Sequence, residues 1–118
     1  MGRIVGIGVD VVDLARFERA LSRTPRLRER LFAESERDLP LRSLAGRFAA
    51  KEALLKALGA TDGISWHDMR VVPDAEGNPD LVVSGRAEQI VAERGIGSLH
   101  VSMSHDAGVA IAFVVAES

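Results

Sequence analysis

Cysteine and tyrosine are both absent from this sequence of 118 residues, and aromatic residues make up only 4% of it. The lack of cysteine excludes a disulfide scaffold, a thiolate zinc site and a cysteine nucleophile. No apolar run approaches the roughly 18 residues of a membrane-spanning helix. The N-terminal apolar run reaches Asp10 before the apolar core of a signal peptide could form. These absences predict a protein of the cytoplasm with no membrane partner.

Charge is distributed unevenly along the chain. The formal net charge is −2, but residues 1–56 carry 12 Lys and Arg against 8 Asp and Glu, whereas residues 57–118 carry 3 against 9. Six arginines lie between Leu14 and Arg30, and such a local positive surface favours an acidic partner. A nucleic-acid partner is disfavoured, because the net charge is negative and few aromatic rings could stack on bases.

The length fits one domain, residues 1–118, whose first half favours helices. An apolar run at 3–9 with two glycines predicts a buried strand with close backbone neighbours, ending at Asp10 or Asp13. Three helices are predicted after it: one capped by Asp13, one from Pro25 to Phe32, and one from Leu44 to Leu58 that ends at Gly59.

The second half favours strands, at residues 66–72, 81–83, 98–105 and 108–116, with a hairpin turn at 73–79 and a short helix at 86–94. The expected fold class is therefore α+β, with a mainly antiparallel sheet packed with helices. The last strand is apolar on both faces. Because the helices of so small a domain can cover one face of its sheet, the other face is expected to meet a partner chain.

The first candidate for a functional segment is Gly6-Ile7-Gly8-Val9-Asp10. It fails as a dinucleotide-binding motif, because Val11 stands where a third small residue is needed and no βαβ unit follows. Taken alone, Asp10 at a strand end is most simply a turn or capping residue.

The helix Arg47-Phe48-Ala49-Ala50-Lys51-Glu52-Ala53-Leu54-Leu55-Lys56 is the second candidate. Its spacing places Glu52 and Lys56 on one face and forms an adjacent cationic ridge from Arg47 and Lys51. The simpler interpretation is a solvated helix with one weak ion pair. The alanines argue against that interpretation, because small residues suit the close approach of a chain segment or ligand.

The third candidate is the strand His100-Val101-Ser102-Met103-Ser104-His105-Asp106. Neighbours on a strand point to opposite faces, so these residues do not form a nucleophilic triad by adjacency. His105 is the better ligand candidate, because it lies near the strand end.

Taken together, two carboxylates, several cations and one histidine suit a hard divalent cation that holds a phosphorylated substrate. Mg²⁺ binds one or two protein carboxylates together with phosphate oxygens and water. The order and spacing of these motifs, with Arg16-Phe17 after Asp10 and with Leu31, Phe32 and Glu36 before the helix, resemble the small 4′-phosphopantetheinyl transferases of the holo-[acyl-carrier-protein] synthase family. The resemblance covers residue 4 to about residue 116.

This resemblance implies transfer of phosphopantetheine from coenzyme A to a serine of apo acyl carrier protein, with release of adenosine 3′,5′-bisphosphate in lipid biosynthesis. It implies Asp10 and Glu52 as Mg²⁺ ligands and Lys56 as the essential lysine. Lys56 would neutralise charge at the leaving group, and Glu52 or Asp10, directly or through water, would accept the serine proton; the sequence does not choose between them.

The same resemblance assigns the binding of both substrates. His105, together with Arg47 or Lys51, would face the phosphates of the nucleotide. Carrier proteins are acidic, so a surface formed by Arg16, Arg23, Arg26 and Arg30 would steer them toward the site. The family further implies a homotrimer with active sites between subunits. The alternatives are a non-enzymatic module that binds coenzyme A without turnover, and the disfavoured nucleic-acid binder.

Overall fold

The computed structural model describes residues 2–59 and 61–118 of the chain. Its regular elements, in chain order, are β1 (Ile4–Asp13), α1 (Leu14–Arg23), α2 (Leu27–Leu31), a 3₁₀ turn (Glu34–Glu36), α3 (Leu41–Leu58), a second 3₁₀ turn (Trp66–Asp68), β2 (Met69–Pro73), β3 (Pro79–Val83), α4 (Gly85–Glu93), β4 (Ser98–Asp106) and β5 (Val109–Glu117).

The strands form two antiparallel sheets. The larger sheet has the order β1-β5-β4, and the smaller one is the hairpin of β2 and β3. In the larger sheet Asp10 pairs with Ala112, which in turn pairs with Met103. The α+β class and the antiparallel pairing predicted from the sequence are confirmed, with the strands divided between two sheets.

The close approach of β1 to α3 explains both the glycines of β1 and the alanines of α3. A side chain at Gly6 would collide with the carbonyl of Ala57, and one at Gly8 would collide with the carbonyl of Ala53. Ala53 is fully buried and Ala57 almost so. The backbone neighbour expected for the glycines is therefore α3, and the segment expected to approach the alanines is β1.

Aromatic rings fix the position of α1 against α3. Asp13 caps α1, because its Oδ1 accepts the N–H of Arg16 at 2.9 Å. One turn inside the helix, Phe17 stacks on Phe48 of α3 with ring centroids 5.4 Å apart. Phe48 in turn lies 5.5 Å from Trp66. This cluster holds the arginine-bearing helix beside the middle of α3.

Some boundaries differ from the sequence-based expectation. α3 begins at Leu41, because Pro40 adopts an extended conformation that suits the residue just before a helix. Residues 66–68 form a 3₁₀ turn, in which Ser65 Oγ accepts the N–H of His67, so β2 begins only at Met69. β1 continues through Asp10 to Asp13, the second of its two predicted ends. The end of α3 at Gly59, with φ +72°, agrees with the prediction.

β1 is covered on one face only, which corrects the prediction of a buried strand. On the face away from α3 the exposed fractions are 56% for Ile7, 47% for Val9 and 57% for Val11. Ile111 and Phe113 of β5 are exposed beside them, at 37% and 43%. We call these five residues the outer sheet face. Within the described residues, no helix is both long and apolar enough to cross a membrane.

Candidate active site

Asp10 and Lys56 meet where β1 crosses the C-terminal part of α3. Lys56 Nζ donates to the Val9 carbonyl at 2.9 Å and to Asp10 Oδ1 at 3.2 Å. The Asp10 side chain is 19% exposed, whereas that of Lys56 is 54% exposed. The lysine ammonium therefore lies at the mouth of the site, where an anionic ligand can reach it.

Glu52 lies one helical turn before Lys56 and faces the same region as Asp10. Its half-buried position raises the pKa of the Glu52 carboxyl, chiefly through desolvation and secondly through the nearby negative charge of Asp10. Lys56 acts in the opposite direction and lowers this pKa. The negative charge of Asp10 thus adds to the cost of charging Glu52, and a cation bound beside them would offset that cost.

A cavity of about 510 Å³ joins these carboxylates to α1. Asp10 of β1, Phe48 and Glu52 of α3, and Arg16 and Phe17 of α1 all line it. The space is large enough for part of a cofactor-sized ligand. It places the two carboxylates and the first arginine of the basic segment around one opening.

The carboxylates fit a magnesium ion that is coordinated by both the protein and a phosphorylated substrate. No group of three or more His, Asp or Glu side chains among residues 2–59 and 61–118 could hold a metal ion by itself. Asp10 and Glu52 supply hard oxygen donors, and Mg²⁺ commonly takes one or two carboxylates and completes its shell with phosphate oxygens and water. The residues present therefore fit such an ion when a phosphorylated ligand is also bound.

His105 lines a different cavity of the same chain. It is exposed on β4 and lines a cavity of about 320 Å³ together with Arg42, Asp106 and Gly108. Neither Asp10 nor Glu52 lines this cavity. Arg42, in the first turn of α3, was missed by the sequence analysis, because no spacing relates it to a strand more than 60 residues away.

Lys51 is inside the protein, which corrects the prediction of a cationic ridge with Arg47. Its side chain is fully buried, and its Nζ donates to the Leu31 carbonyl at 2.7 Å and to Glu36 Oε1 at 2.9 Å. Desolvation lowers the pKa of the Lys51 ammonium, and the hydrogen bond to Glu36 opposes this shift. Lys51 is therefore not available to a nucleotide phosphate, and its predicted ligand role is wrong for this chain.

The predicted carrier-binding arginines are all on the surface. Arg16 and Arg23 lie on α1, Arg26 precedes α2 and Arg30 lies within it, and all four are exposed. Arg28, between the last two, is engaged with the Arg37 carbonyl at 3.0 Å. The segment thus presents a basic surface that begins at the wall of the Asp10 and Glu52 cavity.

Comparison with known proteins assigns the family. The sequence model described as the 4′-phosphopantetheinyl transferase superfamily matches residues 6–114. The chain belongs to this superfamily. Asp10, Glu52 and Lys56 all lie within the matched region, so the site described above is part of the transferase domain.

Individual relatives and solved structures agree with the superfamily assignment. The chain is 64% identical, over 97% of both lengths, to a holo-[acyl-carrier-protein] synthase of Leifsonia xyli subsp. xyli. Its fold matches the crystal structure of the holo-[acyl-carrier-protein] synthase from Neisseria meningitidis with a TM-score of 0.87 and 35% identity, covering 98% of this chain and 100% of that one. The synthase from Helicobacter pylori, solved in complex with coenzyme A, gives a TM-score of 0.81 at 36% identity, covering 93% and 98%.

Proposed function

We propose that this protein transfers the 4′-phosphopantetheine group of coenzyme A to a serine hydroxyl of apo acyl carrier protein. The observation that carries the proposal is that Asp10 and Glu52 line one cavity, with the Lys56 ammonium 3.2 Å from Asp10, in a chain of the phosphopantetheinyl transferase superfamily. The serine oxygen forms a bond to the phosphorus that bears pantetheine. The bond from that phosphorus to the bridging oxygen breaks, and adenosine 3′,5′-bisphosphate leaves.

Asp10 and Glu52 are the residues that would hold Mg²⁺. When bound, the ion would supply neutralisation of the charge on the phosphoryl oxygens. Support comes from the raised pKa of Glu52, which reflects both burial and the neighbouring Asp10 charge. A cation held there would favour the charged form of Glu52.

Lys56 and the carboxylates have separate tasks in the transfer. Lys56 Nζ, exposed at the mouth of the site, donates to the phosphate oxygens of the leaving side and offsets their charge. The serine proton passes to Glu52 or Asp10, directly or through water. No covalent enzyme intermediate is needed, because alignment of the hydroxyl and charge neutralisation are the main requirements of phosphoryl transfer.

The nucleotide end of coenzyme A is proposed to bind near His105 and Arg47. His105 lines the 320 Å³ cavity with the guanidinium of Arg42, which can pair with a phosphate, and with the carboxylate of Asp106. Arg47 lines another cavity of about 250 Å³, beside the β2–β3 hairpin. The acyl carrier protein is proposed to dock on Arg16, Arg23, Arg26 and Arg30, whose exposed positive charges suit an acidic partner.

A homotrimer would bring His105 of one subunit together with Asp10 and Glu52 of its neighbour. In one chain the His105 cavity is separate from the cavity of Asp10 and Glu52, so a second chain can bring its His105 to the first chain's carboxylates. The outer sheet face leaves five large apolar side chains exposed, which is the kind of surface that a subunit interface covers. A closed ring buries such a face without propagating further. That the ring has three subunits rests on the family resemblance. The cytoplasmic location and the single domain also stay predictions.

The decisive experiment is intact-mass analysis of an apo acyl carrier protein incubated with this protein, coenzyme A and Mg²⁺. We expect the carrier to gain one phosphopantetheine group and adenosine 3′,5′-bisphosphate to be released in equal amount. A carrier whose acceptor serine is replaced by alanine, and a reaction with a chelator in place of Mg²⁺, are the matched controls. Binding of coenzyme A without any change in carrier mass would instead favour the non-enzymatic module.

A further inference from the structure

Glu36 is a buried carboxylate that the transfer mechanism does not use. Only 2% of the residue is exposed, and it lies in the 3₁₀ turn before α3. Its Oε1 accepts the N–H of Ala33 at 3.1 Å and the ammonium of Lys51 at 2.9 Å. Its Oε2 accepts the N–H of Val71 at 3.4 Å. These contacts fix the carboxylate between α3 and the β2–β3 hairpin.

Arg47 is the second cation beside this carboxylate. Its Nε lies 3.7 Å from Glu36 Oε2, within ion-pair range, and its side chain is 17% exposed. Within the described residues this Nε is buried and has no hydrogen-bond partner. Arg47 also lines the 250 Å³ cavity with Val71, Pro79 and other hairpin residues. The guanidinium therefore has Glu36 on its inner side and an open space beside it.

The single negative charge of Glu36 faces two positive charges, those of Lys51 and Arg47, so the three side chains together carry a net positive charge. Lys51 is fully buried and held by the Leu31 carbonyl and Glu36, so it cannot move toward a ligand. The Arg47 side chain is partly exposed, and its Nε is the guanidinium atom that lies near Glu36. A guanidinium held in this way leaves the donors of its two terminal nitrogens for a planar, two-point contact with a phosphate.

We propose that Glu36 is a positioning residue for coenzyme A: it orients the Arg47 guanidinium at the wall of the hairpin cavity, where Arg47 binds a phosphate of the nucleotide end. This inference rests on the proposed function. Glu36 itself touches no ligand, because it is buried behind Arg47. Loss of its charge frees the guanidinium to adopt other rotamers, and the cost appears as weaker coenzyme A binding.

The test compares two variants that differ only in the charge at position 36. Lys51→Met keeps the Glu36 carboxylate with Arg47 as its remaining cation, whereas Glu36→Gln combined with Lys51→Met removes the carboxylate as well. Neither leaves a buried lysine ammonium without a counter-charge, so both are designed to fold. Calorimetry of the full-length proteins with coenzyme A and with adenosine 3′,5′-bisphosphate measures binding without turnover, and thermal unfolding measures stability.

We expect Lys51→Met to bind both nucleotides within about twofold of wild type, and the double variant to bind them about tenfold more weakly. Adding Arg47→Ala to each should remove the difference between them, because Glu36 acts through that residue. The Michaelis constant for the carrier should stay the same. Equal dissociation constants for the two variants would overturn the role of Glu36 alone, whereas a wild-type protein that does not bind coenzyme A would overturn the proposed function too.

Discussion

The ammonium of Lys56 lies 3.2 Å from the Asp10 carboxylate, although 46 residues separate the two in the chain. The second bond of Lys56, to the Val9 carbonyl, anchors it at the strand that carries Asp10. The pair therefore links the helix and the strand that form the site. Because Lys56 is the more exposed partner, it can turn from Asp10 toward an incoming phosphate without unfolding any element.

Lys56→Met is expected to lower kcat for carrier modification on the order of 100- to 1000-fold, because one charge-stabilising donor is lost from the transition state. The Michaelis constants for both substrates should change much less. Steady-state kinetics by mass spectrometry, with a thermal melt of the same sample, checks this. A variant whose kcat stays within about threefold of wild type would remove Lys56 from the catalytic role.

Asp10→Ala and Glu52→Ala should each abolish Mg²⁺-dependent transfer at limiting metal, with losses on the order of 100-fold or more, and leave the fold intact. The matched control is Asp13→Asn, which changes a third carboxylate of the same cavity while keeping an N-cap for α1. Rates measured across a Mg²⁺ titration separate weakened metal binding from lost turnover. Near wild-type rates for either alanine variant at low Mg²⁺ would refute the ligand assignment.

The raised pKa of Glu52 predicts a stability effect in the absence of metal. The folded chain holds a proton at Glu52 to higher pH than the unfolded chain does, so its stability falls as pH rises from about 4.5 through the folded pKa. Glu52→Gln mimics the protonated form. Under chelation it should therefore melt at a higher temperature than wild type at pH 7, and the gap should close at pH 4.

Addition of Mg²⁺ together with coenzyme A supplies the control for this effect. Ligands that bind the folded state raise the melting temperature, so wild type should gain stability and Glu52→Gln should gain much less. An unchanged difference between the two proteins at pH 4 and pH 7 would show that the Glu52 charge carries no cost in the fold.

Replacement of Arg16, Arg23 and Arg26 by Glu should raise the Michaelis constant for the carrier on the order of tenfold and leave that for coenzyme A nearly unchanged. The charges are exposed, so wild-type activity at low carrier concentration should also fall with added salt. Arg94→Glu reverses the charge of an exposed arginine in the acidic half of the chain. It is the control for a charge reversal made outside the basic surface. If control and test variants respond alike to carrier, the basic surface has no docking role.

The outer sheet face predicts how assembly can be broken. Wild type should have three times the mass of one chain by light scattering at micromolar concentration, and Phe113→Asp should reduce that mass to a single chain, because it places a charge on the exposed apolar face. Val72→Asp changes a comparably exposed residue of the β2–β3 hairpin and should leave the mass unaltered. A monomeric wild type would exclude the trimer.

Shared sites can be tested by complementation. Asp10→Ala and His105→Ala chains should each be inactive, and refolding them together should restore part of the activity if one subunit supplies the carboxylates and its neighbour supplies the histidine. Separate cavities for these residues in one chain motivate the experiment. Failure to complement, with both chains refolded, would argue against this division of residues between subunits.

Features that depend on local geometry can be predicted from the amino-acid pattern. Four-residue spacing places Glu52 and Lys56 on one helix face, Asp13 caps α1, and Gly59 adopts the left-handed conformation that ends α3. Alternation in β4 separates half-buried Val101 from exposed neighbours, as the period of two requires. Such features rest on contacts within one turn or strand, so a short window of sequence contains the information.

The face of α3 that turns inward depends instead on packing between distant segments. Apolar residues surround this helix, from Leu44 and Ala45 to Ala53 and Leu54, so spacing relates its faces to one another without orienting them. Packing of β1 through its glycines set that rotation and placed Lys51 inside, against Glu36, while Lys56 stayed at the surface. These partners come from distant segments, and their contacts depend on the rotation and position of whole elements, which local spacing does not encode.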